Sequence, residues 1–362
     1  MLRTLSLRPL TKFTRSIYVE PLRGTIGLGG QHSEVPMKVC VFGASTGNLG
    51  RNVVNELGKR GAIVNIPCRG DIDEALRMKP CGEVGKINGV PFHPKDEQSI
   101  ADAIGNCDVV VNCVGKYYQT KFLLPWMINY TYIYNYFLKE LFLLYIYIFF
   151  FIKINVNVFW PERLAKVCKS MGVKNLLHVS ALQGNVNHAS EWARSKAMGE
   201  KVLREAYPDA TIVRPADMFG MEDRCLTWIA VMARKYPYLL TIFNGEAFKQ
   251  PVAYNDVAKV ITKWCSTPED YYGKTIELAG PKIYTQKEVY IYNELNLYFY
   301  YTIHYHPHLF NTPVLVAKAI TFLMECGPIP YMTRSELISV LLIVYLLKKI
   351  MDSNSKILVL LP

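Results

Sequence analysis

The chain has 362 residues, 51% of them hydrophobic and 20% charged, with a formal net charge of +11. This composition excludes a disordered or fibrous chain and leaves one large globular domain with an appendage, or two domains. The nine cysteines include no CxxC pair, which excludes a disulfide framework and a cysteine zinc site and points to a reducing compartment.

The first 35 residues form a segment apart. Arg3, Arg8, Lys12 and Arg15 interleave with Leu2, Leu5 and Leu10, hydroxyl residues are frequent, and the first acid is Glu20. An acid-free amphipathic start of this kind is the composition of a mitochondrial transit peptide, and it lacks the continuous apolar core of a secretory signal. Beyond it, Lys and Arg are mixed with acids, and no zinc-finger or aromatic RNA-binding signature occurs. The positive charge is therefore not expected to serve nucleic acid.

From Met37 a regular alternation begins. Lys38–Phe42 (KVCVF) is expected as a buried strand ending at Gly43. Asn48–Arg60 has helical spacing through Leu49, Val53, Val54 and Leu57 and closes at Gly61. Strands are expected at Ala62–Pro67, Lys86–Phe92 and Asp108–Val114, with a short helix at Glu97–Ile104. The pattern resumes with a helix at Pro161–Met171, a strand at Asn175–Val179, a helix at Glu191–Ala206 and a strand at Thr211–Arg214 running into Pro215. Pro161 suits a first helical turn. Strands alternating with helices predict an α/β fold: a doubly wound, Rossmann-type parallel sheet spanning 36–280, with a smaller C-terminal appendage over 281–362.

Phe122–Val158 interrupts this order. It is rich in Tyr, Phe, Ile, Leu and Asn, and its longest uncharged apolar run, Leu141–Ile152, falls short of the ~20 residues of a membrane span. It is expected to be an insertion without selected function, of doubtful coding origin. Tyr290–Tyr305 and the tail after Ser339 share that composition. His304, His306 and His308 would share one face of a strand, but the run borders the Tyr-rich stretch and has no neighbouring acid, so no metal site is expected.

The strongest motif is Gly43-Ala44-Ser45-Thr46-Gly47-Asn48-Leu49-Gly50, between an expected strand and an expected helix. In such a loop the first glycine permits the tight turn. The second admits the pyrophosphate to the backbone, and the third lets the helix pack on the sheet. The helix N-terminus then offers free N–H groups to phosphate. Arg69 follows the second strand, where an acid would accept from the ribose 2′-hydroxyl of NAD and an Arg favours the 2′-phosphate of NADP; Asp71 and Asp73 lie close by. Asn112 and Gly115 end the fourth strand, where backbone passes beside a cofactor. Ser180 ends the next, and Pro215 the one after that.

The blocks VFGASTGNLGRNVVNELG, IPCRGD, DVVVNCVGKYYQTK, LLHVSAL, RSKAMGEKVLREAYPDATIVRPADMFGMEDR, KQPVAYNDVAKVI and GKTIELAGP cover most of Met37–Pro281, and PYMTRSEL follows late in the chain. With these the chain resembles the extended, atypical branch of the short-chain dehydrogenase/reductase superfamily, and within it the nucleotide-binding accessory subunits of mitochondrial complex I. The resemblance implies Lys196 at the nicotinamide ribose and Ser180 near the ring. It also implies a structurally held NADPH, partners among the complex I subunits, and a peripheral position on the matrix side of the inner membrane. Three departures stand out. Three residues rather than two separate the first two glycines. His93 stands where an acid is frequent after the third strand. Trp192 replaces the tyrosine of the family's Tyr-x-x-x-Lys pair. That tyrosine exchanges a proton with substrate while the lysine lowers its pKa; an indole N–H is a donor only and no acid near neutrality. Cofactor binding without turnover is therefore expected. A free reductase or isomerase is the alternative, and it would need another proton donor, such as Tyr117, Tyr118 or His178.

Overall fold

The computed structural model describes residues 37–116, 155–221, 223, 226–227, 229, 238–241, 245–290, 308–313 and 316–317. The expected transit peptide, Tyr117 and Tyr118, most of the expected insertion, His304 and His306, PYMTRSEL and the tail after Ser339 lie outside them.

Seven strands form a wholly parallel sheet: β1 (Lys38–Phe42), β2 (Ile63–Cys68), β3 (Ile87–Pro91), β4 (Val109–Asn112), β5 (Asn175–Val179), β6 (Thr211–Pro215) and, later in the chain, β11 (Thr275–Leu278). Their order is β11-β6-β5-β4-β1-β2-β3. The chain thus winds outward in one direction from β1 to β3, then returns to the middle and winds the other way from β4. The reversal falls between β1 and β4, where Phe42 lies opposite Asn112. At such a switch point the loops beyond the two strand ends part and leave a crevice.

Helices cover both faces. Strand alternation sends Val39 and Val41 to one face, under α1 (Asn48–Lys59) and α6 (Tyr254–Ser266), where Val53, Leu57, Ile261 and Trp264 meet them. Cys40 and Phe42 face the other way, toward α3 (Glu97–Ile104), α4 (Trp160–Ser170) and α5 (Glu191–Ala206), against Ile100, Leu164 and Leu203. A short α2 (Asp73–Leu76) follows β2. Each large side chain buried here contributes about 1.5–3 kcal/mol of apolar transfer energy, and β1, covered on both faces, draws on both layers.

Four expected elements, β1, α3, β5 and α5, have the bounds their patterns gave. β4 is shorter than Asp108–Val114, because the Val114 N–H donates to Asn112 Oδ1 rather than to a neighbouring strand. The insertion also ends earlier than its composition implied. A π-helical turn, Asn155–Phe159, leads into α4, and Asn157 and Val158 are buried within the domain. Asn157 exchanges two hydrogen bonds with the Lys116 backbone, each 3.2 Å, and donates to Ser195 Oγ at 3.0 Å. The last four residues assigned to the insertion therefore belong to the fold.

After β6 come short pairings: β7 (Met218–Phe219) with β10 (Val252–Ala253), β8 (Tyr238–Thr241) with β13 (His308–Asn311), and β9 (Phe248–Lys249) with β12 (Tyr284–Thr285). Strands on both sides of Gly280 thus share these small sheets, so the segment expected as an appendage is tied to 238–249. His308 of the histidine run is the first residue of β13. Among the described residues no cluster of metal-ligating side chains occurs, and no helix is long and apolar enough to cross a membrane.

Candidate functional site

The glycine loop closes over the end of β1. Gly43 has a φ of +86°, and Gly47 N donates to Gly43 O at 3.1 Å, so the additional loop residue is taken up in one hydrogen-bonded turn before α1. A Cβ on Gly47 would stand 2.4 Å from Gly43 O, and one on Gly50 would stand 2.6 Å from the same oxygen. Both positions thus require glycine on steric grounds alone. Gly43 itself packs on the Cys113–Val114 backbone, where a Cβ would sit 3.1 Å away. Within the loop Ser45 is buried, Thr46 is the exposed tip and Asn48 opens α1, whose Leu49 and Gly50 are buried. Gly47 caps that helix without a side chain, which leaves backbone N–H groups of the first turn to other partners.

Arg69 is exposed just beyond β2. Its charge, together with burial as the larger cause, lowers the pKa of Lys116, which follows β4. Two cations thus follow the strands on either side of β1, whose end carries the loop. His93, also exposed, lies beyond β3 and accepts the Lys95 N–H on its Nδ1.

Across the switch point lies a buried polar cluster. Asn112 is fully buried, and its Oδ1 accepts from Trp160 Nε1 and from Val114 N, both at 3.1 Å. Its Nδ2 lies 3.0 Å from His178 Nδ1. The Asn112 side chain, expected beside a cofactor, is therefore engaged inside the fold, beneath an aromatic trio of Phe42, Phe92 and Trp160 with ring centroids 5.3–5.7 Å apart. Burial, with a smaller push from Lys196, drives the His178 pKa down to about 3. His178 is thus neutral at any physiological pH and is no general acid.

Lys196 is 6% exposed, and its Nζ lies 2.7 Å from where a Gly115 Cβ would be. The absence of a side chain at Gly115 is what admits the ammonium to the strand ends. Burial is the largest influence on it and lowers its pKa to about 8, against an opposing pull from Glu200 and Cys113. Glu200 does not neutralise it at close range: both its carboxylate oxygens accept from Arg214 on β6, the shortest contact being 2.7 Å, and Arg214 reaches on to Glu277 of β11. Ser180 is buried, and its Oγ has no hydrogen-bond partner among the described residues. Trp192, one turn before Lys196, is 8% exposed and packs with Ala181 and Ala193. Pro215, buried at the end of β6, accepts the Leu182 N–H and holds the loop after β5.

The structure therefore brings Gly43, Ser45, Thr46, Gly47, Asn48, Leu49, Gly50, Arg69, Gly115, Ser180, Lys196 and Pro215 to the carboxyl ends of the strands, on one side of the domain. Sequence reasoning missed Asn157, which ties the Lys116 backbone to α5 through Ser195. The available signal was the return of Asn and Val, in place of the aromatic run, just before Trp160-Pro161. It also missed the Glu200–Arg214 pair, fourteen residues apart in sequence.

No family model matches the chain. Curated relatives do. A rat protein named NADH dehydrogenase (ubiquinone) 1 alpha subcomplex subunit 9, mitochondrial, is 34% identical over 258 residues, covering 71% of this chain and 60% of the relative. The Arabidopsis thaliana protein of the same name is 32% identical over 309 residues, covering 84% of this chain and 68% of the relative. The chain thus spans less than two thirds of the rat relative's length. Among solved structures, a nucleoside-diphosphate-sugar epimerase from Staphylococcus aureus superposes with a TM-score of 0.59 at 16% identity, covering 84% of this chain and 88% of the epimerase. A Bordetella bronchiseptica enzyme solved in complex with NAD+ superposes with a TM-score of 0.55 at 13% identity, covering 76% and 86%. These structures share the fold.

Proposed function

Because the chain belongs to the family of mitochondrial NADH dehydrogenase alpha subcomplex subunit 9, we propose that it is an accessory subunit of mitochondrial complex I that binds NADP(H) and does not turn it over. The observation that carries the binding half is the sterically enforced glycine loop at the switch point, facing Lys196 across Gly115. The residues present fit a dinucleotide. Gly47 and Gly50 let the loop and α1 close onto the Gly43 oxygen, which leaves the uncapped first-turn N–H groups of α1 for a pyrophosphate, Gly115 and Lys196 offer a cation to the ribose, and Ser180 keeps a buried hydroxyl uncommitted among the described residues. Arg69, beside Lys116, would hold the 2′-phosphate. When bound, the nicotinamide would supply hydride chemistry.

The observation that carries the silent half is Trp192. A carbonyl reduced by hydride must gain a proton, and general acids contribute typically 10²–10⁴-fold to such steps. The indole offers no such proton, and His178, neutral down to about pH 3, does not replace it. The cofactor then acts as a ligand of the folded state, stabilising it by mass action. The relatives' names support a mitochondrial location and association with the other complex I subunits; a peripheral position on the matrix side is part of the proposal. In detergent-solubilised mitochondrial membranes the tagged chain should co-migrate on a native gel with NADH:ubiquinone oxidoreductase activity. Recovery solely as a small soluble species would reject the assignment and favour a free reductase.

A further inference from the structure

An ion pair lies beside Ser180. Glu200, 6% exposed on α5, accepts from Arg214 with both carboxylate oxygens: Nε donates to Oε1 at 3.1 Å and to Oε2 at 3.2 Å, and Nη2 donates to Oε2 at 2.7 Å. Strand alternation brings Arg214 to it. Ile212, two residues earlier on β6, packs in one core cluster with Leu203 of α5, so Arg214 points to the same helix. Its Nη1 donates at 3.3 Å to Glu277, its register partner on β11. The loop after β5 closes over the carboxylate, where a Cβ on Gly184 would stand 3.3 Å from Glu200 Oε1 and 3.7 Å from Ser180 Oγ.

Lys196 stands four residues before Glu200 on the same helix and is equally buried. Residues four apart share one helix face, with Cβ atoms about 5–6 Å from each other, within reach for a lysine and a glutamate to pair. A buried charge without a partner is costly, so two such groups left to themselves would meet. They do not. Among the described residues no ion pair joins Glu200 to Lys196, and the lysine Nζ lies instead at the Gly115 notch, 2.7 Å from where a Cβ would be. Arg214 accounts for the difference. Its planar fork meets the carboxylate with two nitrogens at once, which a lysine's single ammonium cannot match. The Glu277 side chain is 55% exposed and its charge is screened by water, so it orients Arg214 without drawing it off Glu200.

We propose that Arg214 is a positioning residue for the dinucleotide site: it occupies both oxygens of Glu200, keeps that carboxylate from capturing Lys196, and so leaves the ammonium at Gly115 for the ribose. The role rests on reading the crevice as a dinucleotide site, and it belongs to a residue that acts only through Glu200 and Lys196. Loss of Arg214 then harms binding by way of Glu200, so loss of the Glu200 charge as well undoes the harm.

The test follows Lys196 by carbon NMR on the full chain labelled with ¹³Cε-lysine, its signal assigned by the loss in Lys196→Met. In the parent without cofactor it should titrate near pH 8. In Arg214→Met the released Glu200 pairs with the ammonium, so the midpoint should rise by about one unit or more, and NADPH affinity, read by cofactor fluorescence, should fall roughly tenfold or more. Adding Glu200→Gln to Arg214→Met should bring the midpoint back to the parent's or below and restore most of the affinity. A site merely loosened by the loss of a strut could also raise the midpoint in Arg214→Met, but it would stay raised in the double variant. Arg214→Lys, which keeps a cation on β6 but grips the carboxylate through one nitrogen, should shift both readouts the same way by less, and it serves where Arg214→Met does not fold. An unchanged midpoint or affinity in the Arg214 variants, or a rise that persists once Glu200→Gln is added, would overturn the proposal. Failure of NADPH to bind the parent would instead sink the dinucleotide reading, while the cofactor-free titrations still decide whether Arg214 keeps Glu200 from Lys196.

Discussion

Asn112 is the residue whose replacement tests the site's internal wiring most sharply. Asn112→Leu keeps most of the volume and removes both the oxygen that receives Trp160 Nε1 and Val114 N and the NH₂ that meets His178. Trp160 is 5% and His178 1% exposed, so water cannot readily take over either bond. Each buried polar group left unpaired costs about 1–3 kcal/mol, which sums to about 2–6 kcal/mol for these two. Against the usual ~5–15 kcal/mol of a whole domain, that is a large share. Trp160→Phe is the companion variant. It removes one donor and trims one ring, while Val114 still satisfies the Asn112 oxygen, and should cost about 1–2 kcal/mol. In the double variant the hydrogen-bond part of the second loss disappears, because a leucine offers Trp160 nothing to lose. A coupling of about 1 kcal/mol or more is therefore expected in a double-mutant cycle read by urea unfolding. A loss below about 1 kcal/mol for Asn112→Leu, or strict additivity, would show that the three side chains do not depend on one another.

Gly50→Ala and Gly47→Ala each place a Cβ within 2.6 Å of Gly43 O, so both should lower NADPH affinity by at least roughly tenfold, equivalent to ~1.4 kcal/mol; unchanged titrations would refute the loop assignment. Arg69→Ala should weaken NADPH and spare NADH in competitive titration, and equal losses for both would reject the 2′-phosphate role. The Lys196 pKa is lowered on folding to about 8, so the unfolded chain binds the extra proton and stability contributed by this group rises as pH climbs from about 8 toward its ordinary value, by about 3 kcal/mol in all; Lys196→Met should lack that rise relative to the parent in urea unfolding across the alkaline range. Deletion of Phe122–Ile154 should leave cofactor binding intact, because Lys116 and Asn157 already join the flanking chain ends, whereas deletion through Val158 should lose it; equal outcomes would remove Asn157 from the account.

What the sequence disclosed depended on whether the determining interaction was local. Lys38–Phe42 and Asn175–Val179 are short, mostly apolar runs, and the helical spacing of Leu49, Val53, Val54 and Leu57 in α1 is visible without tertiary context. The glycine loop was legible because its steric demand lies within eight residues. The α6 helix and β11 were recognised only as blocks of a resemblance, since TIEL alternates its burial at the sheet edge and carries no unbroken apolar run. Asn112 reads in sequence as one more strand-end residue by the cofactor. Its actual engagement needs Trp160 and His178, 48 and 66 residues away. Asn157 was hidden for a compositional reason, being the polar edge of a segment whose aromatic run dominates any window laid over it.

The proposed dinucleotide site holds its ligand without using it. The direct measurement is the unmodified, full-length protein incubated with NADPH and a panel of carbonyl compounds, while the absorbance of the reduced nicotinamide is followed and bound cofactor is quantified. The account predicts saturable binding and no oxidation above the uncatalysed rate, with Trp192→Tyr the variant in which any activity would first appear. Turnover by the unmodified protein, abolished by Lys196→Met or Ser180→Ala, would contradict it and return the chain to the reductases.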